Sequence, residues 1–78
     1  MEYLVSIADA KFEPVCDVVS RASNDEEALK KALKRFLSKN HADGLSVSVN
    51  EMDFGKEAVA YDSTTKKHFY YAGIVERK

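Results

Sequence analysis

Apolar and polar side chains alternate through residues 3–8, with Tyr3, Val5 and Ile7 on one side and Leu4, Ser6 and Ala8 on the other. A period of two predicts a β-strand. Residues 9–14 break the pattern, and Pro14, which has no backbone N–H, fits a turn or the start of a strand. Residues 15–22 resume the extended pattern and are rich in β-branched side chains. The first two strands are therefore expected to form a hairpin with a connection of about five residues.

The period then changes. Ala28, Leu29, Ala32, Leu33, Phe36 and Leu37 recur at helical spacing and make one apolar stripe. Ser23-Asn-Asp-Glu26 has the form of a capping box, in which the Ser23 hydroxyl accepts from the Glu26 N–H and the Glu26 carboxylate reaches back. Asp25, Glu26 and Glu27 lie at the positive end of the helix dipole, and Lys34, Arg35 and Lys39 toward its negative end. Glu26–Lys30 and Glu27–Lys31 are spaced for ion pairs. Residues 40–44 supply the stop, with Asn40 or Gly44 as candidates for a left-handed residue. A helix over residues 24–39 is predicted.

Alternation returns with Leu45, Val47 and Val49, the mark of a half-buried antiparallel strand. Asp53-Phe-Gly-Lys56 is a turn signal. Residues 57–62 and 67–75 read as two further strands joined through residues 63–66. In the last strand Phe69, Tyr71 and Val75 are expected on one face, and His68, Tyr70, Ala72 and Ile74 on the other. Gly73 leaves a gap suited to a bulge or to close packing. The expected fold is α+β in the order ββαβββ, a single domain over residues 1–78 with one helix packed on one face of an antiparallel sheet of about five strands. One helical stripe covers one sheet face. Large side chains on both sides of the first and last strands then leave apolar or aromatic surface open on the other.

Composition narrows the function classes. The chain has 78 residues and a net charge of −1, from 12 basic and 13 acidic side chains. That length suits one core, and that balance argues against a dedicated nucleic-acid binder. Cys16 is the single cysteine, so an intrachain disulfide and a cysteine-rich zinc site are excluded, and a reducing, cytoplasmic compartment is expected. The opening residues lack the basic and apolar regions of a signal peptide. No stretch approaches the roughly 20 apolar residues of a membrane helix, so no membrane partner is expected.

No constellation for chemistry stands out. His41 follows the helix and His68 lies on the last strand, and neither belongs to a ligand-spaced metal motif. Cys16, inside an apolar strand, reads as a small buried thiol rather than a nucleophile. The three glycines stand apart, so there is no phosphate loop. Neither enzymatic activity, a cofactor nor a metal is expected. Two basic groups remain as candidate partner-binding surfaces. Lys30, Lys31, Lys34 and Arg35 lie on or beside the outer helix face, with Lys39 near its end. Lys66, Lys67 and His68 cluster at the last hairpin with Tyr70 alongside. Each reads as solvated charge, or as a contact for phosphates or an acidic protein surface.

Three stretches carry a family resemblance: Glu2-Tyr-Leu-Val-Ser-Ile7, Val19-Ser-Arg-Ala-Ser-Asn-Asp-Glu-Glu-Ala28, and Ala58-Val-Ala-Tyr-Asp62 running through Lys66-Lys-His-Phe69. Together they cover about half the chain. In layout they resemble small inhibitors encoded by bacteriophages and mobile elements, among them a short anti-CRISPR protein acting on type I-F systems. The resemblance implies a non-enzymatic inhibitor or adaptor that docks on a CRISPR surveillance complex in the host cytoplasm, with Lys66 and Lys67 as contacts. A small nucleic-acid-binding module and a structural homodimer are the other expectations.

Overall fold

The computed structural model describes residues 1–53 and 55–78. Five strands and one helix follow in the order β1 (Glu2–Asp9), β2 (Pro14–Arg21), α1 (Asp25–Lys39), β3 (Ser46–Met52), β4 (Gly55–Tyr61) and β5 (His68–Arg77). The fold is α+β, as the pattern predicts. Every strand pairing is antiparallel, and the sheet order is β2-β1-β5-β4-β3. Of the predicted turn at residues 53–56, Phe54 lies outside the described residues. Gly55 has φ 137°, a backbone conformation that glycine adopts without a steric penalty.

This order gives the helix its job. β2 and β3 are the two edges of the sheet, and α1 connects them, so it must cross the whole layer. Beneath it lie Tyr3, Val5 and Ile7 of β1 with the small side chains Ala58, Ala60 and Ala72 of β4 and β5. The alanines let a helix that itself carries Ala28 and Ala32 settle close to the sheet. Leu29, Leu33 and Leu37 fill the space between, and all three are essentially inaccessible to water. Each contributes roughly 1.5–3 kcal/mol of burial before entropy is counted. Ser20 is the one polar side chain in this core among the described residues, and its hydroxyl donates to the Ala28 carbonyl at 3.1 Å. A buried hydroxyl so paired costs little.

Both ends of the helix differ in detail from expectation. The cap is Asn24, not Ser23: its backbone is extended and its side-chain oxygen accepts from the Glu27 N–H at 2.9 Å. Starting one residue later makes Asp25 the first helical residue, and Arg77 of β5 grips its carboxylate with Nε at 3.0 Å and a second bond through Nη2. At the other end neither Asn40 nor Gly44 is left-handed; His41 is, at φ 57°. The Ala42 N–H reaches the Leu37 carbonyl at 2.8 Å and the His41 N–H the Ser38 carbonyl at 3.3 Å. This is the Schellman pattern with histidine in the place usually held by glycine.

Three bulges interrupt the ladders, and the extra residue in each is apolar: Val15, Phe69 and Val75. The one at Phe69 alters the predicted faces. Ala60 pairs with Tyr70 but Tyr61 pairs with His68, so the alternation slips by one at this point. His68 therefore joins Tyr61 and Tyr71 on the side away from the helix, and Phe69 lines a depression with Tyr70, His41, Ala42 and Leu45. The two residues have exchanged the sides that strict alternation assigns them. Gly73 hosts neither a bulge nor close packing, since nothing approaches the place a Cβ would occupy. Cys16 is exposed rather than buried, because it lies on an edge strand.

Candidate functional site: an aromatic row on the uncovered sheet face

The β1–β2 and β4–β5 connections emerge at the same end of the sheet, since β1 and β5 run antiparallel side by side. An aspartate organises each one. Asp9 Oδ1 accepts from the backbone N–H of Lys11 at 2.9 Å and of Glu13 at 3.1 Å. Asp62 Oδ1 accepts from Thr64 at 2.8 Å and Thr65 at 3.0 Å. Such turns satisfy backbone donors that the tight path would otherwise strand. The N–H groups of Thr65 and Thr64 favour the charged form and hold the Asp62 carboxyl below its ordinary value. Each loop also carries a non-glycine residue in left-handed backbone, Phe12 at φ 63° and Lys66 at φ 65°. Backbone of this kind is held in place by its surroundings and is frequent at functional sites.

Those two residues flank a row of rings. Phe12 stacks on Tyr71 with centroids 4.5 Å apart and planes at 17°. Tyr71 meets His68 edge-on at 5.7 Å, and its hydroxyl lies 3.0 Å from His68 Nδ1. His68 lies 6.5 Å from the Tyr61 ring, and Lys66 Nζ is 5.9 Å from that ring's centroid. Val59, on the same face and cross-strand from Tyr71, is only 2% exposed although no helix covers it. Phe12, by contrast, is 65% exposed. One end of the row is thus a well-packed platform carrying an aromatic ring held out in water.

The structure divides the residues singled out from sequence. Lys66 and His68 belong to this row. Lys67 sits over the Phe69 ring at 5.3 Å. Tyr70 lies apart from the row: it is half-buried, edge-on to Phe36 at 4.9 Å. Lys31, Lys34 and Arg35 lie elsewhere, beside the β2 edge. Lys31 pairs with Glu27 at 3.2 Å and donates to the Arg21 carbonyl at 3.1 Å. Phe12, Tyr61 and Tyr71 are the members that sequence reasoning missed. An aromatic side chain inside an otherwise polar turn was the available signal for Phe12.

Charge bears on what this face can accept. By the strand register the uncovered face carries Glu2, Asp17, Glu57 and Glu76 against Arg21, with Lys66 at the Tyr61 end of the row. A polyanion would meet repulsion over most of that area. Among the described residues no group of three or more histidine, cysteine, aspartate or glutamate side chains gathers as a metal site. No described helix is long and apolar enough to cross a membrane. Comparison of the chain with protein-family models, with curated proteins and with solved structures found no match.

Proposed function

We propose that this domain is a non-enzymatic protein-binding module, an inhibitor or adaptor that occupies a surface of a larger complex. The observation that carries this reading is the row Phe12–Tyr71–His68–Tyr61, in which Phe12 stacks on Tyr71 and still exposes most of its surface. Exposed aromatic rings on a rigid support, rimmed by polar groups, are what protein interfaces use as anchors. The two Asp-organised turns fix the row before a partner arrives, so little ordering entropy is lost on docking. A partner that buries Phe12 gains apolar contact, and a cationic rim on that partner would match Asp17, Glu57 and Glu76. A CRISPR surveillance complex is the target that the family resemblance adds.

The row also supports a second reading, stacking of single-stranded nucleic acid on aromatic side chains. The acidic register of the same face weighs against it. Affinity capture with the immobilised domain tests both readings, comparing wild type with Phe12→Gly and with Lys66→Glu/Lys67→Glu. A partner retained from about 50 mM to about 200 mM salt and lost with Phe12→Gly supports the protein reading. Capture that collapses over that salt range and survives Phe12→Gly sinks it.

A further inference from the structure

A second surface lies along the free edge of β2, where the uncovered face meets the helix side. We propose that the groove between β2 and α1 receives an extended, acidic segment of a protein partner, which adds to β2 as a sixth strand.

The backbone supplies the first part of the argument. The Ala22 N–H donates to the Met1 carbonyl, which makes that residue pair a hydrogen-bonded one. In an antiparallel ladder bonded and non-bonded pairs alternate, so Ser20, Val18 and Cys16 turn their polar backbone groups toward β1. Asp17, Val19 and Arg21 turn theirs outward, away from the sheet. Lys31 Nζ already occupies the outward Arg21 carbonyl at 3.1 Å, which shows where a donor is accepted on this edge. Natural edges are guarded by charge, proline and bulges. β2 has such guards at Pro14, at the Val15 bulge and through Lys31, yet Val19 between them is 53% exposed.

The groove supplies the second part. Two depressions of about 600 and 450 Å³ lie along the edge and share Val19 and Arg35 in their walls. Val18 and Phe36 contribute apolar floor, while Arg21, Lys31, Lys34, Arg35 and Lys39 supply positive charge against Glu2, Asp17 and the Glu27 carboxylate that pairs with Lys31. A groove with five basic groups against three acidic ones, in a chain whose net charge is −1, selects an acidic occupant. Beside the start of the β3 edge lie Lys34 and Asp43, one charge of each sign.

Two rivals fit less well. Phosphates accept hydrogen bonds but cannot donate, so a nucleic-acid backbone leaves the outward carbonyls unmatched and meets Asp17 in mid-edge. A second copy paired through β2 about a two-fold axis would bring two sets of Lys31, Lys34 and Arg35 together. A peptide strand offers N–H and C=O groups in alternation, and acidic side chains along it answer the rim.

The test uses an eight-residue peptide alternating valine with glutamate, its lysine counterpart and a single-stranded oligonucleotide, each titrated into the labelled domain. Saturable NMR shifts at the Asp17 and Val19 amides with the glutamate peptide alone are the expected result. Lys34→Glu/Arg35→Glu should weaken that binding at least tenfold. Val19→Pro removes an outward N–H while sparing the β1 ladder, and should abolish it in a folded domain. The exposed helix pair serves as the second variant if Val19→Pro does not fold. Phe12→Gly should leave this binding unchanged, which separates its fate from that of the aromatic row. Equal binding of both peptides, no binding of the glutamate peptide, or preference for the oligonucleotide overturns the proposal. So does self-association of the wild type that Val19→Pro dissolves.

Discussion

Phe12 lies nearly parallel to Tyr71, ring centroids 4.5 Å apart, on a backbone whose φ of 63° disfavours any side chain at all. Two terms therefore oppose each other at one residue. The stacked pair contributes roughly 0.5–1.5 kcal/mol, and the left-handed backbone costs a non-glycine residue about 1–2 kcal/mol.

Phe12→Gly removes both terms. We expect urea midpoints to shift by less than the equivalent of about 1 kcal/mol, because relief of the backbone offsets loss of the stack. Binding through the row should disappear in the same protein. A variant that unfolds would show that Phe12 is held for stability rather than for contact.

Asn24→Ala should destabilise the domain by about 0.5–2 kcal/mol, whereas Ser23→Ala should be close to neutral. The side-chain oxygen of Asn24, and not that of Ser23, accepts a helix N–H here. Equal losses from the two substitutions, read by chemical denaturation, would return the cap to Ser23.

Asp25 carries a pH signature. The Arg77 hydrogen bonds hold its carboxyl below the ordinary value of 3.8, so the folded state binds that proton less readily than the unfolded chain does. Stability from the pair is then fully present above about pH 3.8 and fades as pH falls through the lower folded value. The melting-temperature gap between wild type and Asp25→Asn should be full at neutral pH and close progressively only below about pH 3.8. A gap independent of pH would mean that Arg77 binds the asparagine equally well.

Leu33→Ala should cost about 2–5 kcal/mol, a large part of the roughly 5–15 kcal/mol available to a small domain. Leu33→Asp, which adds an unpaired charge to a site with no water contact, should unfold it. Circular dichroism and urea titration decide the matter. A cooperative melt of Leu33→Asp at the wild-type temperature would contradict the placement of the helix.

The layers were legible because each rests on a simple period. Tyr3, Val5 and Ile7 alternate, Leu29, Leu33 and Phe36 recur at helical spacing, and both sets lie in one core. Three features escaped for physical reasons. A bulge adds a residue without leaving a trace in the alternation, so His68 and Phe69 were assigned to the wrong sides. Ser23 and Asn24 are both good caps, and local chemistry does not choose between them. Cys16 looked buried because its neighbours are apolar, but β2 turned out to be an edge, and strand order depends on contacts far apart in sequence. The candidate row was hidden most deeply: it joins a turn residue, Phe12, to a strand residue, Tyr71, that only the folded sheet brings together.

β5 is the central strand of the sheet, and in its pairing with β1 Tyr3 faces Arg77 and the backbones of Glu2 and Lys78 hydrogen-bond each other. Within the domain β1 is synthesised before the other four strands and β5 after them. Until residues 68–77 emerge, Val5 and Ile7 have no second strand beside them and β4 has no bridge to β1. Nascent chains should therefore stay sensitive to protease until residues 68–77 have emerged, and then become resistant in a single step.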